Sequence, residues 1–420
     1  MQKEGFFMKN WKKLASLAVA GTLLAMTGCA GGTNSTAETA APTDAPAETT
    51  QAADETTLAA ADTEATTATT EVNATDAPNS DSETITVTDH LGKTVEVPTK
   101  IDRIVVGDIL PLPSVLTVFF DSGEKIVGMS ESSMKAAQNG LLGELYPEVL
   151  DAKTDFINGT EVNIEELVAL DPDIMFYSAG SPQIGEACES AGIPAVAISP
   201  SKWEYNSIET LNQWLETLGE IFPENAKADI CRKYSEEKYN MVQERVKVIP
   251  DEERARAFFL FQYTDESITT SGKLFFGQFW ADAIGAKNVG EELTTDNSTA
   301  VDMEQIYQWN PDLIFITNFN AAQPETLYNN ETGSWDWSAV DAVANKRVYK
   351  MPLGMYRSYT PGIDTPITLM WLAKTAYPEK FEDIDITKET KDYYKEVFGV
   401  DLTDEQANSI FAPVSAASAF

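Results

Sequence analysis

The pattern of apolar and polar positions divides the chain into stretches of different period. TITVTDHLGKTVEVP, 84–98, alternates apolar and polar, turns at Leu91 and Gly92, and alternates again. That predicts a β-hairpin. Short continuous apolar runs follow: RIVVG, KIVGM, DIMFY and IPAVAIS. A Pro-rich loop, 108–113, and helical patterns separate them, which predicts a parallel sheet with helices on its faces. From 205 to 248 the strand signal stops. Ile208, Leu211, Leu215, Leu218, Ile221 and Phe222 recur at helical spacing, and the period continues beyond Pro223. One long helix, or two near-collinear ones, is expected. The strand–helix pattern then restarts with RAFFLFQY, FWADAIGA, DLIFI and RVYKM, and a helix at 366–376. The expected fold class is α/β: two lobes, each with a mainly parallel sheet flanked by helices, joined by a long backbone helix.

One unit occurs twice. VNIEELVALDPDIMFY (162–177) and VDMEQIYQWNPDLIFI (301–316) align without gaps as capped helix, Pro-Asp turn and apolar strand. Asn163 with Glu166, and Asp302 with Gln305, match capping boxes. Glu165 and Glu304 add a carboxylate to each first turn, where the helix dipole favours negative charge.

Composition changes the picture at the N-terminus. Lys9, Lys12 and Lys13 precede an apolar run, 14–26, too short to span a bilayer, and MTGC leads to Cys29. Met1 or Met8 could start such a segment. This resembles a bacterial lipoprotein signal, which implies lipidation of Cys29 and anchoring to the outer face of the cytoplasmic membrane. Residues 30–82 are rich in Ala, Thr, Asp, Glu and Pro, without Lys or Arg. They read as a disordered acidic tether. The expected divisions are 1–28 signal peptide, 29–82 lipidated Cys and tether, 83–204 N-terminal lobe, 205–250 connecting helix, 251–399 C-terminal lobe and 400–420 tail.

The 420 residues carry 66 acidic and 30 basic side chains, a formal net charge of -36. Such acidity argues against nucleic acid as a partner. Cys188 and Cys231 fall in helical patterns and read as two isolated buried thiols. His90 is the one histidine. It sits at the hairpin turn, where solvent exposure is expected. One histidine weakens the readings of a bare zinc or manganese site and of a His-based enzyme.

ITVTDHLGKTVEVPTKIDRIVV, TTSGKLFFGQFWADAIGAKNVG and the repeated Pro-Asp units resemble the substrate-binding lipoproteins of iron-complex (siderophore, haem, cobalamin) ABC importers, over residues 84–381. The resemblance implies a ligand cleft between the lobes, delivery to a permease dimer rather than catalysis, and a monomer. It also implies that one exposed Glu per lobe docks on the permease; Glu165 and Glu304 hold the matching places, with Glu161 an alternative to Glu165.

In α/β sheets ligands bind beyond the carboxyl ends of strands. The loops so placed are 107–113, 130–138, 178–183 and 199–205, then 263–276, 317–324 and 352–361. They carry Lys135, Lys202, Lys273 and Arg357, with Trp203, Tyr205, Tyr263, Phe275, Phe276, Tyr356 and Tyr359. Cations amid aromatics suit an anionic, partly apolar ligand such as a ferric siderophore-type chelate, with no intrinsic cofactor. Haem or a corrinoid is the alternative, with Tyr263, Tyr356, Met351 and Met355 as possible ligands. A surface enzyme and an adhesive scaffold are the remaining readings.

Overall fold

A computed structural model describes residues 83–415. The hairpin forms as expected. Strands β1 (Thr84–Thr88) and β2 (Thr94–Pro98) pair antiparallel from Thr84↔Pro98 to Thr88↔Thr94. Gly92 takes φ 81°, the left-handed turn conformation that glycine adopts without strain.

Two sheets carry the rest. The first has the order β4 (Ile126–Gly128), β3 (Ile104–Val106), β7 (Ile174–Ser178), β8 (Ala195–Ile198), all parallel. A small hairpin, β5 (Ile157–Asn158) with β6 (Glu161–Val162), lies outside it. The second has the order β12 (Ser298–Val301), β10 (Ile268–Ser271), β9 (Arg256–Tyr263), β13 (Leu313–Ile316), β14 (Val348–Lys350), with β11 (Lys287–Asn288) also on β9. Its β9, β11, β13 and β14 are parallel, while β10 pairs antiparallel with both β9 and β12 at one side. The sequence pattern did not predict β10 and β12, because their mixed Ser/Thr composition lacks a continuous apolar run.

Side chains alternate across each central strand. Ile104 and Val106, with Ile174 and Phe176, enter one core; Val105, Met175 and Tyr177 enter another. In the second sheet, Phe259 and Phe315 face one layer, and Phe258, Leu260, Ile314 and Ile316 the other. Sheets covered on both faces in this way explain why the strands read as unbroken apolar runs.

The repeat units adopt the same structure. Asn163 Oδ1 accepts from the N–H groups of Glu165 (3.1 Å) and Glu166, at the start of helix Ile164–Ala169. Asp302 Oδ1 accepts from Gln305 N–H (2.8 Å) at the start of helix Met303–Trp309. The reciprocal half of the expected capping box is not made; the Gln305 amide reaches Glu292 instead. Asp171 and Asn310 hold the same place in the two units and both have positive φ, 47° and 40°.

A shared clamp extends the repeat. The Asp173 carboxylate accepts from the N–H groups of Asp102 and Arg103, while Arg103 Nε donates to the Leu170 and Asp171 carbonyls. In the second lobe the Asp312 carboxylate accepts from Arg256 N–H and its guanidinium, which also donates to the Trp309 and Asn310 carbonyls. Each clamp ties the turn to the N-terminal end of the neighbouring strand.

The segment expected as one long helix is a helical hairpin. Helix α1 (Ser207–Ile221) ends at Phe222 and Pro223, and helix α2 (Ala228–Val246) folds back along it. Arg232 of α2 reaches both Glu209 and Glu216 of α1. A collinear arrangement would hold Arg232 about 24 Å from Glu216 at ~1.5 Å per residue. Pro223 does not kink one helix; it ends the first. Helix α2 spans the lobes: Cys231 and Tyr234 join the first-lobe core, Val242 and Val246 the second; in α1, Leu211, Trp214, Leu215 and Leu218 join the first and Ile208 the second.

The chain also returns to the first lobe. Helix α3 (Thr365–Ala376) packs on α2, and helix α4 (Ile386–Tyr393) continues into a π-helical turn, Tyr394–Phe398. Tyr393, Tyr394, Val397 and Phe398 belong to the first-lobe core, although 251–399 was expected to form the second lobe. The strand–helix pattern gave no sign of this crossing, because α4 carries no strand to mark a lobe. The tail then touches both lobes: Leu353 N–H donates to Ile410 O (2.8 Å), and Gln406 bonds Glu144.

Candidate functional site: a cleft with unlike walls

The carboxyl ends of β3, β7 and β8 face those of β9, β13 and β14 across a cavity of about 320 Å³. The first lobe contributes Asp108 to Pro111, Ser178, Pro200, Ser201 and Tyr205. The second contributes Phe261, Phe275, Phe276, Phe319, Tyr356 and Thr360, with Asp296 and Asn297 at its edge.

The first-lobe wall carries an acid and two serines among Ile109, Leu110, Pro111 and Pro200. Asp108 Oδ1 accepts from Ser178 N–H (2.8 Å) and Oδ2 from Ser181 Oγ (2.5 Å). Burial pushes its carboxyl above the ordinary value despite these bonds. Behind this wall stands His90, which is buried, not exposed as expected. Its backbone N–H donates to Ala197 O (3.0 Å), so the hairpin turn docks on the end of β8. The ring lies edge-on to Trp203, with centroids 4.9 Å apart. Burial, with Lys202 nearby, lowers its pKa to about 4.

The second-lobe wall is aromatic and backed by cations. Phe261 stacks on Phe319 (5.0 Å) and meets Phe275 edge-on (5.5 Å). Tyr359 packs among Phe259, Phe261, Phe275 and Phe276, fully buried behind the lining. The Arg357 guanidinium lies 5.2 Å from the Phe319 ring centroid and 5.5 Å from that of Tyr356. Its Nη1 donates to Tyr356 Oη (3.3 Å) and, across the lobes, to Ser132 Oγ (3.0 Å). Lys350 is buried beside it; its Nζ donates to the carbonyls of Thr317 (2.9 Å) and Asn320 (2.6 Å). Among the described residues Lys350 has no carboxylate partner. Desolvation first, then the Arg357 charge, pulls its pKa down to about 7. The loop carrying Tyr356 and Arg357 hangs from Asp364, whose carboxylate accepts from Met355 N–H (2.9 Å), Tyr356 N–H and Tyr394 Oη. Full burial lifts Asp364 to about 6.

Of the residues singled out in the sequence, the cleft brings together Tyr205, Phe275, Phe276 and Tyr356, with Arg357 and Tyr359 directly behind them. It does not gather the rest. Tyr263 faces the other core, where its hydroxyl accepts from Trp337 Nε1. Lys202 turns to the His90 carbonyl (3.0 Å) with Trp203 packed on the ring, and Lys135 pairs with Glu131. Lys273 is exposed outside the lining. Met351 and Met355 are fully buried and do not line the cavity. Sequence reasoning overlooked Asp108, Phe261, Phe319 and Lys350. Asp108 and Phe319 lie in loops that the strand ends had marked; Phe261 and Lys350 lie inside strands, where core packing is the default expectation.

Cys188 and Cys231 are separate buried thiols in different cores, as expected. Glu165 and Glu304 are exposed, and among the described residues neither has an ion-pair partner. Cys29 and the tether lie outside the described residues.

The sequence profile of the periplasmic binding protein family matches residues 124–353, more than half of the chain and both repeat units. The chain belongs to this family. The molybdate-binding protein MolA of Haemophilus influenzae is 26% identical over 345 residues, covering 76% of this chain and 93% of MolA. The MolA structure with molybdate gives a TM-score of 0.63 at 25% identity, covering 76% and 99%. A periplasmic solute binding protein from Veillonella parvula gives 0.69 at 27% identity, covering 78% and 97%. Helicobacter pylori CeuE with Ni-His gives 0.62 at 22%, covering 78% and 99%, a likeness of fold. This periplasmic binding protein is thus a solute-binding component of an ABC importer, extracytoplasmic and not an enzyme. Among the described residues no helix is long and apolar enough to cross a membrane.

Proposed function

We infer that this binding protein captures an anionic metal chelate of the ferric-siderophore type and hands it to its permease. The observation that carries this reading is the second-lobe wall: four phenylalanines and Tyr356 in front of the buried Arg357 guanidinium, with the Lys350 amine beside it. Aromatic faces reward area burial, and cations behind them reward negative charge. A buried guanidinium does not suit a bare metal cation. The cavity offers more room and more apolar surface than a tetrahedral oxyanion uses.

A compact oxyanion is the second reading, favoured by the relationship to MolA. Haem or a corrinoid finds less support: of its four candidate ligands only Tyr356 lines the cavity, with its hydroxyl accepting from Arg357, while Met351 and Met355 lie outside the lining and Tyr263 faces another core. Glu165 and Glu304 are the proposed docking carboxylates, and Cys29 the proposed lipid anchor of a monomer.

The test is a titration of the purified protein, followed by tryptophan fluorescence. Its ligands are ferric catecholates, ferric hydroxamates, haem, cobalamin, molybdate, zinc and manganese. Saturable binding of a ferric chelate is expected. A response to molybdate or to a free metal ion, with none to any iron complex, would overturn the reading.

A further inference from the structure

The loop between β8 and α1, residues 199–206, forms part of the first-lobe wall and ends on the second lobe. Pro200, Ser201 and Tyr205 line the cleft. Glu204 and Tyr205 both hold left-handed φ, 54° and 58°. Two consecutive side-chain-bearing residues in that region carry strain that the surroundings must hold. At the tip, the Tyr205 ring meets Phe276 (4.8 Å) and Phe275 (5.4 Å), and its hydroxyl donates to Asp296 O (2.7 Å). Tyr205 therefore spans the cleft.

The base of the loop is fixed by one side chain from a distant part of the sequence. His90 Nδ1 accepts from Ser199 N–H (2.9 Å). His90 Nε2 lies 2.9 Å from Thr217 Oγ1, which itself donates to Gln213 O. Nδ1 must therefore be bare, and the ring is the neutral Nε2–H tautomer. Lys202 Nζ donates to the His90 carbonyl, Trp203 packs on the ring, and Trp214 Nε1 holds the Ser199 carbonyl (2.8 Å). Other charges near the ring are already engaged. The Asp89 carboxylate accepts backbone N–H bonds from Leu91 and Lys93, Lys93 pairs with Glu189, and Glu216 on α1 pairs with Arg232.

We propose that His90 is a positioning residue for ligand capture: its neutral ring fixes the loop 199–206, so that Tyr205 closes the cleft on the second lobe. His90 touches no ligand. It acts by accepting one backbone N–H that no other group is placed to accept. This rests on the reading of the cleft as the ligand site.

A single histidine makes the test clean. The first measurement needs no ligand: NMR of the imidazole and of the Ser199 amide in the full protein, from pH 8 to pH 4. The ring should remain the Nε2–H tautomer down to about pH 5, and the Ser199 amide should shift only when the ring finally titrates. The second measures affinity for a ferric tris-catecholate by fluorescence quenching at pH 7.5. His90→Leu removes the acceptor and should weaken binding tenfold or more. His90→Asn places Oδ1 where Nδ1 was and should recover binding to within about threefold of wild type. Tyr205→Phe, which keeps the ring and loses the tie to Asp296, should fall between. Matched circular dichroism and melting curves keep folding out of the comparison. An imidazole titrating near its ordinary value, or equal affinities in the Leu and Asn variants, would overturn the proposal. If no chelate binds the wild type, the cleft reading fails and takes the role in capture with it, while the NMR result still decides whether His90 holds the loop.

Discussion

Asp173 with Arg103, and Asp312 with Arg256, form one clamp built twice, and Asn163 and Asp302 cap matching helices. At the carboxyl ends of the same strands the likeness stops. One lobe presents Asp108 and serines among small apolar residues, with a loop held by a buried base; the other presents phenylalanines, a buried guanidinium with an amine beside it, and a loop held by a buried acid. The duplicated parts are those that set the scaffold and, in our reading, those that meet a two-fold permease. The parts that diverged are those that meet a ligand with unlike faces. A symmetric partner selects for copies, and an asymmetric ligand selects for differences.

The docking reading makes the largest prediction. Glu165→Ala with Glu304→Ala should lower uptake through the cognate permease by more than tenfold, with chelate affinity unchanged within twofold. Each single variant should lie between. Uptake at the wild-type rate in the double variant would leave these carboxylates only their helix-dipole role, worth a few tenths of a kcal/mol.

The two loop anchors offer a second way to break the comparison, through pH. His90 has a folded pKa of about 4 against an ordinary 6.5, so the unfolded chain binds more protons between these values. Its contribution is complete above pH 6.5 and is lost as pH falls toward 4. Asp364 has a folded pKa of about 6 against 3.8, so the native state binds more protons there. Its contribution is present below pH 3.8 and is lost as pH rises through 6. Each is worth about 3 kcal/mol across its window, at ~1.4 kcal/mol per unit. Between pH 4 and 6 the two slopes oppose. Relative to wild type, His90→Asn should become less stable as pH rises from 4 to 6, and Asp364→Asn more stable. Urea midpoints measured at each pH would check this. Parallel profiles in both variants would show that the two loops are not held by groups of opposite proton linkage.

The scaffold was legible in the sequence, whereas most of the cleft was not. The duplicated unit, the hairpin and the alternation of apolar strands with helices announced themselves through period, because each depends on local pattern and turn chemistry. His90 was misread because its partners, Ser199 and Thr217, lie more than 100 residues away. The helical hairpin was misread because periodicity shows that residues on both sides of Pro223 are helical but not the angle between the helices. Lys202 and Lys273 were chosen because they stand in strand-end loops. Direction within a loop is set by contacts such as the His90 carbonyl, which no local pattern encodes.

Arg357 sharpens the contrast between the walls. Arg357→Ala should weaken an anionic ferric chelate by about 10- to 30-fold, or ~1.4–2 kcal/mol, as expected for a charge-assisted interaction. Arg357→Lys should recover only part of this, since a point charge does not reproduce a planar guanidinium set against the Phe319 and Tyr356 rings. Asp108→Asn, on the opposite wall, should not weaken binding of an anion. Isothermal titration of all three variants against the same chelate would check the order. Equal losses for Arg357→Ala and Asp108→Asn would mean that the walls do not divide the ligand by charge.

The smallest effect tests the likeness of the two lobes. Asp173→Asn and Asp312→Asn should each lower stability by about 1 kcal/mol, since each keeps one acceptor and gives up the charge on a partly exposed clamp. The two losses should agree, and the double variant should show their sum, because the sites belong to different sheets. Neither change should alter chelate affinity, because both clamps sit at the N-terminal ends of the strands, away from the cleft. Unequal losses, read from urea midpoints, would mean that one lobe leans on its clamp more than the other. The repeat would then be a likeness of geometry without a likeness of energy.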